Sequence, residues 1–271
     1  MQTWIKKLLL ILCFCSICQA ANNFSADPNC KALWRFEDGV LTADSKGGNT
    51  LTAGEATANT TLYKEGGASA EFNDRFDKFS IADADLDAGF PLKDGDSNKK
   101  FSIAFWARMT SLPNTGEARN CFMKYTAGEH CIIVKAHNFG GVTSFGFQIS
   151  TDGISYDESY FHASAIAAEI WYHVSVTYQA SDGAYRIRVW DDDAQAILGV
   201  DKTGTAGDIH VDSAPVYISG VADNSTMLGQ FDEMVIFDDV LTADEIDQIR
   251  AGTYGGAPPA AGGQVIMIGE F

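Results

Sequence analysis

Two neighbouring runs, Trp171 to Gln179 (WYHVSVTYQ) and Ala184 to Trp190 (AYRIRVW), alternate apolar and polar residues with a period of two. Successive side chains of an extended strand point to opposite faces, so Tyr172, Val174, Val176 and Tyr178 share one face while His173, Ser175 and Thr177 take the other. The second run repeats the design, with Tyr185, Ile187 and Val189 on the inner face and Arg186 and Arg188 on the outer. Ser181-Asp182-Gly183 between them reads as a turn, so the pair predicts an antiparallel hairpin with one dry face.

Further strands are expected at Lys31 to Phe36, Ala68 to Phe72, Lys78 to Ile81, Phe101 to Met109, Cys131 to Lys135, Ser144 to Ser150, Val216 to Ser219 and Phe231 to Phe237. Many short strands separated by Gly, Asp and Asn, with almost no helical periodicity, predict an all-β fold: a two-sheet antiparallel jelly-roll sandwich. The 26 glycines suit its turns, and 46% apolar residues suffice for a packed core. Trp34, Trp106 and Trp171 fall within strands and read as core.

One short helix is expected near the end. In Leu241-Thr242-Ala243-Asp244-Glu245-Ile246, Thr242 is placed as N-cap and Glu245, three residues on, closes a capping box. Leu241 and Ile246 are set for a hydrophobic staple, and Gly252 supplies the stop. This assignment removes Glu245 and Asp247 as a paired-carboxylate catalytic site, because residues two apart on a helix point roughly 200° from one another. Asp247 reads as a solvated helix face.

Residues 1–20 carry Lys6 and Lys7, an apolar run from Leu8 to Ile17 and then Cys18-Gln19-Ala20, the layout of a signal peptide cleaved after Ala20. A lipidated Cys18 is the alternative, disfavoured by Ile17 before it. The expected location is therefore secreted, or cell-surface or periplasmic, and no other run is long enough to span a bilayer. Cleavage removes two of the 19 basic residues and none of the 36 acidic ones, leaving a net charge of −19. Such a charge argues against nucleic acid and anionic membranes as partners. Residues 255–271 read as a Gly/Pro/Ala linker followed by a short apolar tail from Gln264, with Val265 to Ile268 able to add a strand to a partner sheet.

Of six cysteines, Cys30, Cys121 and Cys131 survive processing. Cys121 and Cys131 flank a turn at Thr126 to Glu129 and are expected to face each other as a disulfide, with Cys30 free or differently paired. A zinc site with His130 and His137 is the alternative, without any CxxC or HxxxH element. Asn23, Asn59 and Asn224 begin glycosylation sequons.

Four landmarks in order carry a resemblance. Ala32 to Asp38 with Asp44-Ser45-Lys46-Gly47-Gly48-Asn49, Phe101 to Arg108, Trp171-Tyr172-His173-Val174, and Gly229 to Glu233 followed by Val240 to Ile246 resemble the strands and closing helix of laminin-G-like (LamG) and pentraxin-like domains of the concanavalin A-like lectin/glucanase superfamily. The match runs from about Cys30 to Tyr254 and frames a single domain over residues 30–254. Two departures stand out: Asp191-Asp192-Asp193 replaces the family's usual Asp-Gly hairpin, and Asp83 to Asn98 is a long acidic insert.

The resemblance implies that Glu37, Asp44, Asn49 and Asp232 approach one another as a calcium site, the alternative being acids that only cap turns. Asp83 to Gly89 imitates half an EF-hand loop, but Ala88 stands where that loop needs Gly, so it reads as a solvated loop. Tyr156, Tyr160, Phe161 and His162 cluster between strands as candidate sugar platforms, or simply pack on the sheet. GxSxG, HExxH, GxxxxGK[ST] and ExDxxE motifs do not occur. The expectation is a secreted, non-catalytic module that binds extracellular glycans or glycoproteins with calcium assistance. A structural or adhesion module meeting a protein partner through its tail, and a glycan-cleaving hydrolase or lyase on the same fold, are the alternatives.

Overall fold

The computed structural model describes residues 22, 24, 26–220 and 225–255. Residues 1–20, where a signal peptide is expected, the sequons at Asn23 and Asn224, and residues 256–271 lie outside these. Within them the elements are β1 (Cys30–Trp34), β2 (Thr52–Ala53), β3 (Thr57–Asn59), β4 (Ser69–Phe72), β5 (Phe79–Ile81), β6 (Lys100–Met109), β7 (Ala118–Thr126), β8 (Glu129–Phe139), β9 (Val142–Ile149), β10 (Glu158–Phe161), β11 (Trp171–Gln179), β12 (Ala184–Asp191), β13 (Ala196–Ile197), β14 (Lys202–Thr205), β15 (Val216–Ile218), β16 (Gly229–Phe237) and helix α1 (Ala243–Arg250).

The strands form two antiparallel sheets. Sheet A runs β13-β12-β11-β6-β16-β4-β3, with β1 also paired to β16 and β14 to β12; sheet B runs β10-β9-β8-β7-β15-β5-β2. The alternation seen in the sequence decides which residues go between them: Tyr172, Val174, Val176, Tyr178, Tyr185, Ile187 and Val189 all join the buried core. Phe36, Phe79, Phe72, Phe231 and Phe105 link in a chain of ring contacts with centroids 5.3–5.6 Å apart. Each such pair adds about 0.5–1.5 kcal/mol beyond the area it buries.

Helix α1 closes the outer face of sheet A. Its capping box is formed, with the Glu245 N–H donating to Thr242 Oγ1 and the Thr242 N–H to Glu245 Oε2, and Gly252 follows with φ 67°. Ile246 and Ile249 bury against Leu33, Ala104, Val235 and Phe237. Asp247 is not the solvated residue expected: it accepts from Arg188 on β12 at 2.7 and 3.2 Å and anchors the helix to the sheet.

Strand β7 has no counterpart in the sequence reading, and Lys124 is the reason. Its side chain is only 1% exposed and lies 2.9 Å from Asp83 and 3.5 Å from Asp212. It also donates to the carbonyls of Asp212 and Ala214. Asp83 is therefore buried and departs from the solvated loop expected, and Asp87 accepts from the Gly48 N–H at 2.8 Å, while Asp85, Asp87, Ala88 and Gly89 are exposed as that reading has them.

The expected Cys121–Cys131 disulfide is not formed, and Cys30, Cys121 and Cys131 are all buried free thiols. The turn is where it was expected, with Thr126 opposite Glu129. However, β7 and β8 each carry a bulge, one between Asn120 and Phe122 and the other between Lys124 and Tyr125. Cys121 is the extra residue of the first and Cys131 of the second. The two bulges turn both thiols into the core at different levels of the hairpin, instead of opposing them. Burial raises the pKa of all three thiols, that of Cys30 to about 12.

Candidate functional site

The outer face of sheet B gathers two of the four candidate ligand residues. On β8 the alternation that buries Ile132, Val134 and Ala136 turns Ile133, Lys135, His137 and Phe139 outward. Gly140 and Gly141, both with positive φ, make the tight turn into β9. Phe161 on β10 lies across Gly146, where a Cβ would come within 2.5 Å of its ring. It packs 4.8 Å from Phe139, which in turn stands edge-on to His137 at 3.8 Å. Phe139 is 50% and Val142 47% exposed, so this end of the face is an open aromatic shelf.

At the other end Tyr156 stacks on His130 with centroids 4.8 Å apart and planes 5° apart, and His130 tilts against Tyr125. A polar ladder crosses the strands between the two ends: Lys135 Nζ donates to Gln148 Oε1, and Gln148 Nε2 donates to Ser159 Oγ. Burial lowers the Lys135 pKa to about 8. Tyr156 Oη, His130 Nδ1 and His137 Nδ1 are buried without a hydrogen-bond partner among the described residues. Buried polar atoms are normally satisfied, so these three are exceptions, and all three lie in or beside the stacked rings of this face.

The other two candidates are elsewhere. Tyr160 points inward, 4.4 Å from Tyr185 and 5.3 Å from Phe147, with its hydroxyl on Glu158. His162 is buried, accepting from the Ser164 N–H. They are packing residues. His137, Phe139, Lys135, Gln148 and Ser159 were missed because the reading looked for ligand residues in a loop, whereas these alternate along strands.

The four residues of the implied calcium site fall into two pairs with separate duties. Asp44 accepts from the N–H groups of Leu33, Lys46 and Asn49, and Asn49 bridges Asp44, Asp87 and the Lys31 carbonyl. Glu37 accepts from the Gly67 N–H at 3.0 Å, while Asp232 Oδ2 accepts from the N–H groups of Lys64 and Glu65. Asp232 is fully buried and Glu233 nearly so, and desolvation pushes Asp232 to about 8 and Glu233 well above the carboxylate range. Among the described residues no set of three or more His, Cys, Asp and Glu side chains has metal-holding geometry. These donors therefore do not fit one calcium ion, which asks for six to eight converging oxygens. The zinc alternative fails the same way, since His130 is stacked and the thiols are in the core.

A family model described as the concanavalin A-like lectin/glucanases superfamily (Laminin_G_3) matches residues 85–247. The chain belongs to this superfamily. No curated protein matches this concanavalin A-like chain. Among solved structures it is similar to domain 4 of AbnA, a GH43 extracellular arabinanase from Geobacillus stearothermophilus in complex with arabinotriose. Identity is 15%, coverage 82% of this chain and 98% of that one, and the TM-score 0.56. It is similar also to the receptor binding domain of botulinum neurotoxin type G (15% identity, 82% and 51% coverage, TM-score 0.56). The binding domain of botulinum neurotoxin DC in complex with rat synaptotagmin II resembles it too (10% identity, 84% and 52% coverage, TM-score 0.59). The chain spans about half the length of the toxin binding domains, and at these identities the likeness is one of fold.

Proposed function

We propose that this concanavalin A-like chain is a secreted, non-catalytic binding module that takes an extracellular glycan or glycoprotein on the outer face of sheet B. The observation that carries the reading is the coincidence, on one open sheet face, of the Phe139–Phe161 shelf and the Lys135–Gln148–Ser159 ladder. Sugars offer flat C–H faces to aromatic rings and hydroxyls that both donate and accept, which is the complement of this surface. The relatives by fold support it, since one is described with arabinotriose and another with synaptotagmin. The signal-peptide layout of residues 1–20 supports the secreted part of this reading. Calcium assistance, implied by the family resemblance, would need ligands other than Glu37, Asp44, Asn49 and Asp232 as a set.

The test is a broad glycan array probed with residues 21–271 in millimolar calcium and again after chelation, beside the variants Phe139→Ala and Phe161→Ala. Specific signals that fall about tenfold or more in either variant, with the circular dichroism unchanged, are expected. Signals indifferent to both variants would remove the face from the account. Release of reducing ends from a bound glycan would make the protein an enzyme.

A further inference from the structure

The opposite sheet holds a second cleft with different chemistry. On the outer face of sheet A, His173 of β11 pairs with Trp106 of β6 on one side and Trp190 of β12 on the other, so two indoles flank one buried imidazole. Over Trp106 lies Lys64, its Nζ 4.5 Å from the ring centroid. Over Trp190 lies Arg250 from the last turn of α1, its guanidinium carbon 3.6 Å from the ring centroid. Lys64, Trp106 and Arg250 line one cleft of about 380 Å³, together with Glu65, Asp192 and Gln195. That is a size typical of small-ligand sites.

The hydrogen-bond accounting of this cleft is one-sided. Asp192 Oδ2 pairs with Lys64 at 2.7 Å and its Oδ1 accepts from Gln195, so Lys64 is a shared charge here and Arg250 the less engaged of the two cations. Asp247, the acid nearest to Arg250, is 3.7 Å from its Nε and is bonded to Arg188 instead. Burial raises the Glu65 pKa to about 7, so it competes weakly for the cations near neutral pH. The Asp247 ion pair is the only acid contact of the Arg250 guanidinium within 4 Å among the described residues, and Arg250 Nε and Trp190 Nε1 are buried donors with no acceptor within 3.5 Å. A guanidinium held 3.6 Å over an indole, with its nearest acid bonded to another arginine, keeps donor capacity for a planar anion.

We propose that this cleft binds the carboxylate of a hexuronic acid residue, with Arg250 as its direct partner, Lys64 as the second charge and Trp106 at the floor. The site is independent of the aromatic face of sheet B, and it gives a chain of strongly negative net charge a local means of holding an acidic saccharide.

Calorimetry of residues 21–271 with trigalacturonic acid, and with its methyl ester as the same rings without charge, tests the assignment at about 150 mM salt. The acid is expected to bind at least about tenfold more tightly than the ester, and Arg250→Gln to lose about tenfold or more. Arg250→Lys should retain part of the affinity. Lys64→Gln serves as a second variant if Arg250→Gln does not fold. Equal binding of acid and ester, absence of binding to the acid, unchanged affinity in folded Arg250→Gln and Lys64→Gln, or preference for a poly-glutamate peptide over the saccharide would each overturn it.

Discussion

At the scale of single residues, Asp232 departs furthest from its expected role. The family resemblance implied a calcium ligand, whereas Asp232 is fully buried, with one oxygen capping two loop amides and the other unpartnered. Desolvation raises its pKa to about 8, whereas an unfolded Asp titrates near 4. The folded state therefore keeps a proton that the unfolded chain has lost, so this contribution to stability is present below about pH 4 and fades as pH rises through about 8. Asp232→Asn preserves the acceptor for Lys64 and Glu65 and removes the titration. It is expected to stabilise the fold by about 1–3 kcal/mol at pH 8 and to leave it near wild type at pH 4, read from urea unfolding at both pH values. Destabilisation at pH 8 would mean that the carboxylate is needed ionised. His173 acts in the opposite sense: buried and lowered to about 3, it costs stability as pH falls below about 6.5.

At the scale of elements, what could be read in the sequence and what could not divides on whether a side chain follows the simple pattern. The β11–β12 hairpin and the capping box of α1 were legible because period two and the Thr242–Glu245 spacing are local signals. β7 was not, because an inward lysine and a bulge break its alternation, and the acids that make Lys124 tolerable lie 41 and 88 residues away in sequence. Cys121 and Cys131 misled for the same reason, since a bulge shifts register without any mark in composition. Lys124→Ala is expected to cost about 3–5 kcal/mol, because it leaves Asp83 and Asp212 buried without their counter-charge. Lys124→Met with Asp83→Asn and Asp212→Asn should recover much of it in thermal unfolding. A single variant of wild-type stability would show the knot to be dispensable.

At the scale of the whole molecule, the two sheets present unlike outer faces. Helix α1 and its apolar cluster cover much of sheet A and leave the Lys64–Arg250 cleft beside them, while β8, β9 and β10 of sheet B carry exposed rings. The sandwich was legible from the strand pattern, and the superfamily from four landmarks in order. The proposed face was only half legible: Tyr156 and Phe161 lie on it, but Tyr160 and His162 do not, because alternation along β10 sends neighbours to opposite sides. Its other half sits on β8 and β9, far from Phe161 in sequence and adjacent in the sheet.

The measurement that tests the central claim most directly is amide chemical-shift mapping of isotope-labelled protein, titrated with the best saccharide from the array. Perturbations concentrated at Lys135, His137, Phe139, Gln148, Ser159 and Phe161 are the predicted result. Perturbations confined to the loops around Glu37, Asp44 and Asp232, with the outer face of sheet B unmoved, would contradict it.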